Sequence, residues 1–144
     1  MQIREILTLK SDTIYSIAPT DSVASAVEKL VSLGVGSLVV LKNGKMVGFL
    51  TERHIVQGMA RQGPALENVE VSAIMATEPV VASADDSIDY ARDVMTKSHI
   101  NHLPIMDGNR LIGIMSFHDV ARACLKEANF ENSLLKRYIK HWPE

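Results

Sequence analysis

Two short polar segments of the sequence have residue types that could bind a ligand. Residues 48–55, "GFLTERHI", place Thr51 and His54 directly after an apolar run, and residues 113–120, "GIMSFHDV", place Ser116 and Asp119 in the same way. A carboxylate only accepts hydrogen bonds, whereas a neutral imidazole has a single acceptor nitrogen. The two segments therefore share a form but differ in binding chemistry.

The same residues could have a purely structural role. Ser, Thr and Asp side chains routinely bond to backbone N–H groups at the start of a helix. Ser116 with Asp119 could simply cap the helix that follows, and Thr51 could be a cap with His54 exposed in the first helical turn. Both interpretations remain open from the sequence.

The two segments belong to an internal repeat. Gly48 and Gly113 lie 113 − 48 = 65 positions apart, and this offset continues backwards without a gap to Asp21 and Asp86. In each copy a short β-rich run precedes a helix that begins after a Ser-containing cap. Two strands follow, joined by Asn43-Gly44 or by Asp107-Gly108, which are strong hairpin signals. A second helix then begins at Glu52 or at Phe117.

The first helix of each repeat has apolar residues at helical spacing, which predicts one buried face. In the first copy these are Val23, Ala26, Val27, Leu30 and Val31, and in the second they are Ile88, Ala91, Val94 and Met95.

Composition limits the classes of protein to consider. The chain has 144 residues, is 47% hydrophobic and carries a formal net charge of -2, which fits a globular core and gives no general attraction to nucleic acid or anionic membranes. Its one cysteine, Cys124, excludes an intramolecular disulfide. We find no apolar run long enough to span a membrane and no apolar signal-peptide region at the start. A soluble, cytoplasmic protein is therefore expected.

These patterns predict an α/β (α+β) fold built from two β-α-β-β-α repeats. A unit of this size buries too little surface to be stable alone, so the repeats are expected to pack together about a pseudo-two-fold axis. We assign residues 1–61 to the first repeat, 62–70 to a linker, 71–127 to the second repeat and 128–144 to a C-terminal helical extension.

The repeated order of elements, with Gly-x-x-[Thr/Ser]-x-x-[His/Asp] closing each second strand, resembles a tandem pair of cystathionine-β-synthase (CBS) domains, or Bateman module. The resemblance covers residues 1 to about 127. It implies a regulatory module that binds an adenine nucleotide, such as AMP, ADP, ATP or NAD(H), in a cleft between the repeats. S-adenosylmethionine-like ligands also occur in such modules. The protein would act as a sensor of energy or redox state, with no catalytic cofactor and no enzymatic activity.

The resemblance implies two nucleotide sites. The first would combine Thr13, Ala18, Gly36, Ser37, Ser116 and Asp119. Asp119 would accept both ribose hydroxyls, Ser116 and Ser37 would lie near the phosphates, and Gly36 would let the backbone approach.

The second site would combine Thr51, Arg53, His54, Glu78, Ser83, Asn101 and His102. It lacks the ribose carboxylate, and Glu78 adds negative charge near the ligand. Arg53 and His102 could hold phosphates. We expect this site to be empty, weak or adapted to a different ligand.

Two other classes of function compete with nucleotide sensing. One is a dimerisation or interaction module whose clefts bind nothing. The other is an enzyme, which we disfavour because the sequence offers no nucleophile–base pair and no Walker-type loop. The spacing of His99, His102 and His118 matches no standard metal site.

The C-terminal extension carries an apolar stripe that should not face water. It consists of Phe130, Leu134, Tyr138 and Trp142. The stripe could pack on its own module or across a dimer, and the resemblance favours a homodimer. A regulated partner protein is expected, and the sequence does not identify it.

Overall fold

The computed structural model describes residues 1–10 and 13–131, with side chains as far as residue 128. The predicted C-terminal stripe lies outside the described side chains. The helices are α1 (Ile3–Leu9), α2 (Val23–Leu33), α3 (Glu52–Gln62), α4 (Ile88–Ser98) and α5 (Phe117–Glu131), with 3-10 helices at Gly63–Asn68 and Val71–Ala73. The strands are β1 (Ser16–Ile17), β2 (Ser37–Lys42), β3 (Lys45–Thr51), β4 (Ala82–Ser83), β5 (His102–Asp107) and β6 (Arg110–Ser116).

The strands form two equivalent three-stranded sheets, in the orders β1-β2-β3 and β4-β5-β6. In each sheet the first strand pairs in parallel with the second, and the second pairs antiparallel with the third. The register repeats at the predicted offset, because Ser37 pairs with Thr51 and His102 pairs with Ser116. The predicted fold class of two β-α-β-β-α repeats is confirmed.

The two hairpins use different turn residues. Asn43 and Gly44 both have positive φ, at 53° and 78°, as a type I′ turn requires. In the second hairpin the strands end at Asp107 and resume at Arg110, so the turn residues are Gly108 and Asn109. The prediction of Asp107-Gly108 was one residue early, because the positive φ of 64° at Gly108 belongs to the first turn position.

Helices α2 and α4 begin as predicted. The hydroxyl of Ser22 accepts a hydrogen bond from the Ser25 N–H at 3.1 Å, and that of Ser87 accepts one from the Tyr90 N–H at 3.0 Å. The predicted apolar face of α2 is partly wrong, because Val27 and Val31 are 38% and 76% exposed.

Only a narrow stripe of α2 faces its sheet, and this stripe consists of Val23, Ala26 and Leu30. Val27 and Val31 instead line an apolar groove of about 440 Å³ between α2 and α3, with Val56 on the other side.

The N-terminal helix belongs spatially to the second repeat. Ile3 and Ile6 of α1 are buried in the core that contains Ile88 and Leu103. The Ile3 N–H donates to the Asp86 carbonyl at 2.9 Å, and the Ile88 N–H donates to the Met1 carbonyl at 3.0 Å.

The segment before the second repeat completes the first one in the same way. Val71 is buried in the core that contains Leu38 and Leu50. The Val71 N–H donates to the Asp21 carbonyl at 2.8 Å, and Phe49 and Ala76 exchange backbone hydrogen bonds at 2.9 Å. Each core therefore includes the chain segment that precedes the other repeat.

The predicted linker is an ordered element of this arrangement. Residues Gly63–Asn68 form a 3-10 helix whose Leu66 is fully buried. The Pro64 ring is accommodated at the helix start, where no backbone donor is needed. Among the described residues, none forms a helix long and apolar enough to cross a membrane.

Candidate ligand-binding sites between the repeats

A cavity of about 530 Å³ lies between the repeats and contains most of the predicted second site. Six of the seven predicted residues line it, namely Thr51, Arg53, His54, Glu78, Asn101 and His102. The seventh, Ser83, is not in the lining. Its hydroxyl accepts a hydrogen bond from the Asp85 N–H at 3.3 Å in the turn that leads to α4.

Sequence reasoning missed the walls of this cavity. The additional lining residues are Phe49, Glu52, Val56, Ala76, Pro79, Val80, His99 and Ile100. Several are sequence neighbours of predicted site residues, so extending each predicted position by one or two residues would have found them. The juxtaposition of Phe49 and Ala76 depends on a backbone bridge between the repeats, and no local signal in the sequence indicates it.

The ring of His54 has one defined tautomer. The Thr51 N–H donates to His54 Nδ1 at 2.9 Å, and the Thr51 hydroxyl lies 3.1 Å from the same nitrogen. Because Nδ1 accepts this bond, it carries no proton, and the neutral ring carries its proton on Nε2. Thr51 and His54 therefore cap α3, and His54 can offer a ligand one N–H donor. It is half-buried in the cavity wall and is not the exposed residue that the capping interpretation had suggested.

Arg53 connects the two repeats at the edge of the cavity. Its Nη1 donates a hydrogen bond to the His99 carbonyl at 3.1 Å. His99 ends α4 in the left-handed conformation, with φ of 54°. This bond joins the start of α3 in the first repeat to the end of α4 in the second, so a ligand that contacts Arg53 would act on the inter-repeat contact directly.

His102 packs against the backbone of the first repeat. A Cβ atom at Gly36 would lie 2.7 Å from His102 Nε2 and 3.0 Å from Glu52 Oε1, so only glycine fits there without rearrangement. The backbone of Gly36 also makes a hydrogen bond that recurs in the second repeat. The Glu52 N–H donates to the Gly36 carbonyl at 3.1 Å, and the Phe117 N–H donates to the equivalent Asn101 carbonyl at 2.7 Å. Gly36 and His102 thus define the junction between the two predicted sites.

At the predicted first site, Ser116 and Asp119 cap α5 reciprocally. The Asp119 N–H donates to Ser116 Oγ at 3.1 Å, and the Ser116 N–H donates to Asp119 Oδ2 at 2.9 Å. The same carboxylate oxygen lies 2.5 Å from Lys10 Nζ. Burial acts to raise the pKa of Asp119, but the hydrogen bonds from Lys10 and Ser116 outweigh it and hold the pKa below its usual value.

The remaining first-site residues lie on the first repeat. Thr13 precedes β1, and Ser37 begins β2 opposite Thr51. The Ala18 N–H donates to Asp21 Oδ2 at 3.0 Å in the turn that leads to α2. A nucleotide contact by Thr13, Ala18, Gly36 or Ser37 remains a prediction.

We expect stability to fall on mild acidification because of two histidines. Burial lowers the pKa of His54, with a further contribution from Arg53. Burial also lowers the pKa of His102, against an opposing effect of Glu52. Below about pH 6.5 the unfolded chain therefore binds more protons than the native protein, and the free energy of unfolding should decrease until the folded-state pKa values are passed.

Urea denaturation at pH 7.5, 6.5 and 5.5 measures this dependence. The variant His54→Gln/His102→Gln should show a smaller slope with pH than the wild type, and the exposed His118→Gln is the matched control. An equal slope in the double variant and the wild type would contradict the assignment. The carboxylate of Asp119 does not contribute in this window, because its lowered pKa lies well below it.

The two repeats share a cavity, and comparison with known proteins identifies their family. The CBS domain family model matches residues 3–61 and 71–126. The chain therefore belongs to the CBS domain family and contains a pair of these domains.

Two curated relatives are each 31% identical to this chain. The CBS domain-containing protein CBSX3, mitochondrial, of Arabidopsis thaliana matches over 83% of this chain and 61% of its own length. The CBS domain-containing protein YhcV of Bacillus subtilis matches over 75% of this chain and 76% of its own length. The chain thus spans less than two thirds of the first relative.

Solved structures share the fold. A putative signal-transduction protein with CBS domains from Burkholderia ambifaria is 27% identical, with a TM-score of 0.83 over 88% of this chain and 95% of that one. The CBS domain pair of protein MJ0100, solved in complex with 5′-methylthioadenosine and S-adenosyl-L-methionine, has a TM-score of 0.76 over 88% of this chain and 98% of that one. At 22% identity, the second similarity concerns the fold alone.

Proposed function

We propose that this chain is a regulatory CBS-pair protein that binds an adenosine-containing ligand in the 530 Å³ cavity. The observation that carries the proposal is that both repeats contribute to the cavity wall. A ligand that fills it contacts both repeats at once, so its binding energy favours one relative arrangement of the repeats over others. A partner protein that binds one arrangement of the repeats more tightly than another would then be regulated by the ligand.

The lining of the cavity suits a nucleoside. Its apolar side chains, among them Phe49, Pro79, Val80 and Ile100, can pack on the faces of a purine. The Nε2–H of His54 and the amide of Asn101 can bond to ribose hydroxyls or base nitrogens. The CBS domain pair of MJ0100, which has the same fold, was solved in complex with 5′-methylthioadenosine and S-adenosyl-L-methionine, so this fold can accommodate adenosyl compounds.

The charges of the lining favour a ligand with few phosphates. Besides three histidines, the charged side chains that line the cavity are the carboxylates of Glu52 and Glu78 and the guanidinium of Arg53. Burial lowers the pKa of His54 and of His102, which favours the neutral form of both rings. A net negative wall opposes a polyphosphate and tolerates a neutral thioether or a cationic sulfonium. We therefore propose that adenosyl compounds of this kind bind here more tightly than AMP, ADP, ATP or NAD(H).

Titration calorimetry and thermal unfolding test the proposal together. We expect 5′-methylthioadenosine or S-adenosyl-L-methionine to raise the melting temperature, because a ligand that binds only the native state stabilises it. AMP should bind more weakly, and ATP more weakly again. At a ligand concentration of about 100 times Kd, the stabilisation should reach about 2.7 kcal/mol.

A cavity-filling variant localises the binding. Ala76→Phe adds an aromatic ring at the cavity wall and should abolish the shift, whereas Ser83→Ala, a predicted site residue outside the lining, should retain it. Equal binding by Ala76→Phe and the wild type would contradict the assignment of this cavity.

The second candidate function is a module that only associates with itself or a partner. It is supported by the apolar groove between α2 and α3, where Val31 and Val56 are exposed. We propose that this surface contributes to a homodimer in either case, since exposed apolar side chains in a cluster indicate an interface. If none of the adenosyl ligands or nucleotides binds at millimolar concentration, the interaction module becomes the better interpretation.

A further inference from the structure

We propose that the Lys10 side chain is an internal occupant of the Asp119 site and must leave before a nucleoside can bind there. The inference rests on the proposed function, since Asp119 is the counterpart in the second repeat of His54, which lines the 530 Å³ cavity. Occupation by Lys10 would make the two sites unequal. This difference would be separate from the presence of His54 at one site and Asp119 at the other.

The Lys10 ammonium makes two contacts at this position. Its Nζ lies 2.5 Å from Asp119 Oδ2 and donates a hydrogen bond to the Ile114 carbonyl at 2.7 Å. The Asp119 side chain is only 17% exposed. A ribose that used this carboxylate would have to replace the ion pair with Lys10 by hydrogen bonds from neutral hydroxyls.

The repeat shows what Lys10 replaces. At the 65-residue offset, Phe49 corresponds to Ile114 and His54 to Asp119. The Phe49 carbonyl accepts a backbone bond from the Ala76 N–H at 2.9 Å, and Phe49, His54 and Ala76 all line the 530 Å³ cavity. The equivalent carbonyl of Ile114 is bonded instead by an ammonium group at the end of a long side chain. The Lys10 ammonium therefore takes the place that the Ala76 amide has in the first repeat, beside a residue pair whose counterparts, Phe49 and His54, line the 530 Å³ cavity.

Helix α1 holds Lys10 in this place. Arg4 pairs with Asp85 at 3.0 Å and with Asp107 at 3.4 Å. The buried Ile3 and Ile6 fix the same helix on the core of the second repeat. Lys10 follows α1 directly, so its backbone is anchored and the release of Asp119 would require rotation of the side chain only.

The test is the number of ligands bound per chain. The probe is 5′-methylthioadenosine, because it has no phosphate that could itself pair with Lys10. Calorimetry should give one site in the wild type and two in Lys10→Met, with affinity at the Asp119 site raised about tenfold or more by loss of the competing ammonium. Lys10→Met/Asp119→Asn should return to one site, and Lys45→Met, at an exposed lysine, is the matched control.

The outcomes separate this inference from the proposed function. One site in both the wild type and Lys10→Met would overturn the inference and leave the proposed function intact. Binding to Lys10→Met alone would support the inference and overturn the assignment of the 530 Å³ cavity. A folded Lys10→Met protein that binds less than the wild type would show that Lys10 assists binding, which also overturns the inference. Lys10→Gln retains hydrogen bonding without the charge and should reproduce the second site if Lys10→Met folds poorly.

Discussion

Ile3→Ala is expected to lower the free energy of unfolding by about 2–4 kcal/mol, the largest effect that we expect from a single truncation near the N-terminus. Ile3 is fully buried (0% exposed) in the core of the second repeat, although it lies far from that repeat in the chain. Truncation removes apolar contacts and leaves a cavity, and it also weakens the docking of α1. Urea denaturation followed by circular dichroism measures the change.

The matched control lies on the same helix. Leu9→Ala removes a side chain of similar size that is 72% exposed, so its effect should stay within about 0.5 kcal/mol. Equal effects of the two substitutions would show that α1 does not dock on the second repeat. Ile3→Ala should also loosen the anchor of Lys10, so it provides an independent route to opening the Asp119 site.

Gly48→Ala is expected to destabilise the protein by about 1–3 kcal/mol because of overpacking. A Cβ atom at this position would overlap Met75 Sδ and would lie 2.8 Å from Met75 Cγ and 3.0 Å from the Ala76 carbonyl oxygen. The Ala76 carbonyl takes part in the backbone bridge between Ala76 and Phe49 of β3. It therefore cannot move away from a new Cβ atom without breaking that bridge. The change should also reduce ligand binding, since Ala76 lines the cavity.

The equivalent glycine of the second repeat is the control. A Cβ atom at Gly113 would meet the Leu7 side chain, at 3.0 Å from its nearest methyl carbon, and that side chain can rotate. Both substitutions reduce the entropy of the unfolded chain by the same amount, so their difference isolates the packing effect. Thermal unfolding of the two variants measures it. An equal or larger loss of stability in Gly113→Ala would contradict the argument.

The two experiments test the same architectural feature from opposite sides. In each repeat the core includes a segment that precedes the other repeat, and both glycines lie where such a segment crosses a strand. A ligand between the repeats contacts elements that these segments connect. Ligand binding could therefore change the arrangement of one repeat relative to the other.

The features predictable from the sequence were those set by neighbours in the chain. The Asn43-Gly44 turn needs positive φ at two successive positions, and the Ser22 and Ser87 caps bond to N–H groups three residues away. The 65-residue offset then assigned the same fold to the second half. The second hairpin turn was predicted one residue early, at Asp107-Gly108. The sequence does not show whether Gly108 is the first or the second turn residue.

The sequence by itself determined the two-repeat fold and the candidate residues at the start of α3 and α5. Only the tertiary structure decided which residues meet them. It brought Lys10 to Asp119 and assembled the open cavity around His54. An ion pair or a cavity wall between segments far apart in the chain depends on how the repeats pack, and spacing along the sequence carries no information on that packing.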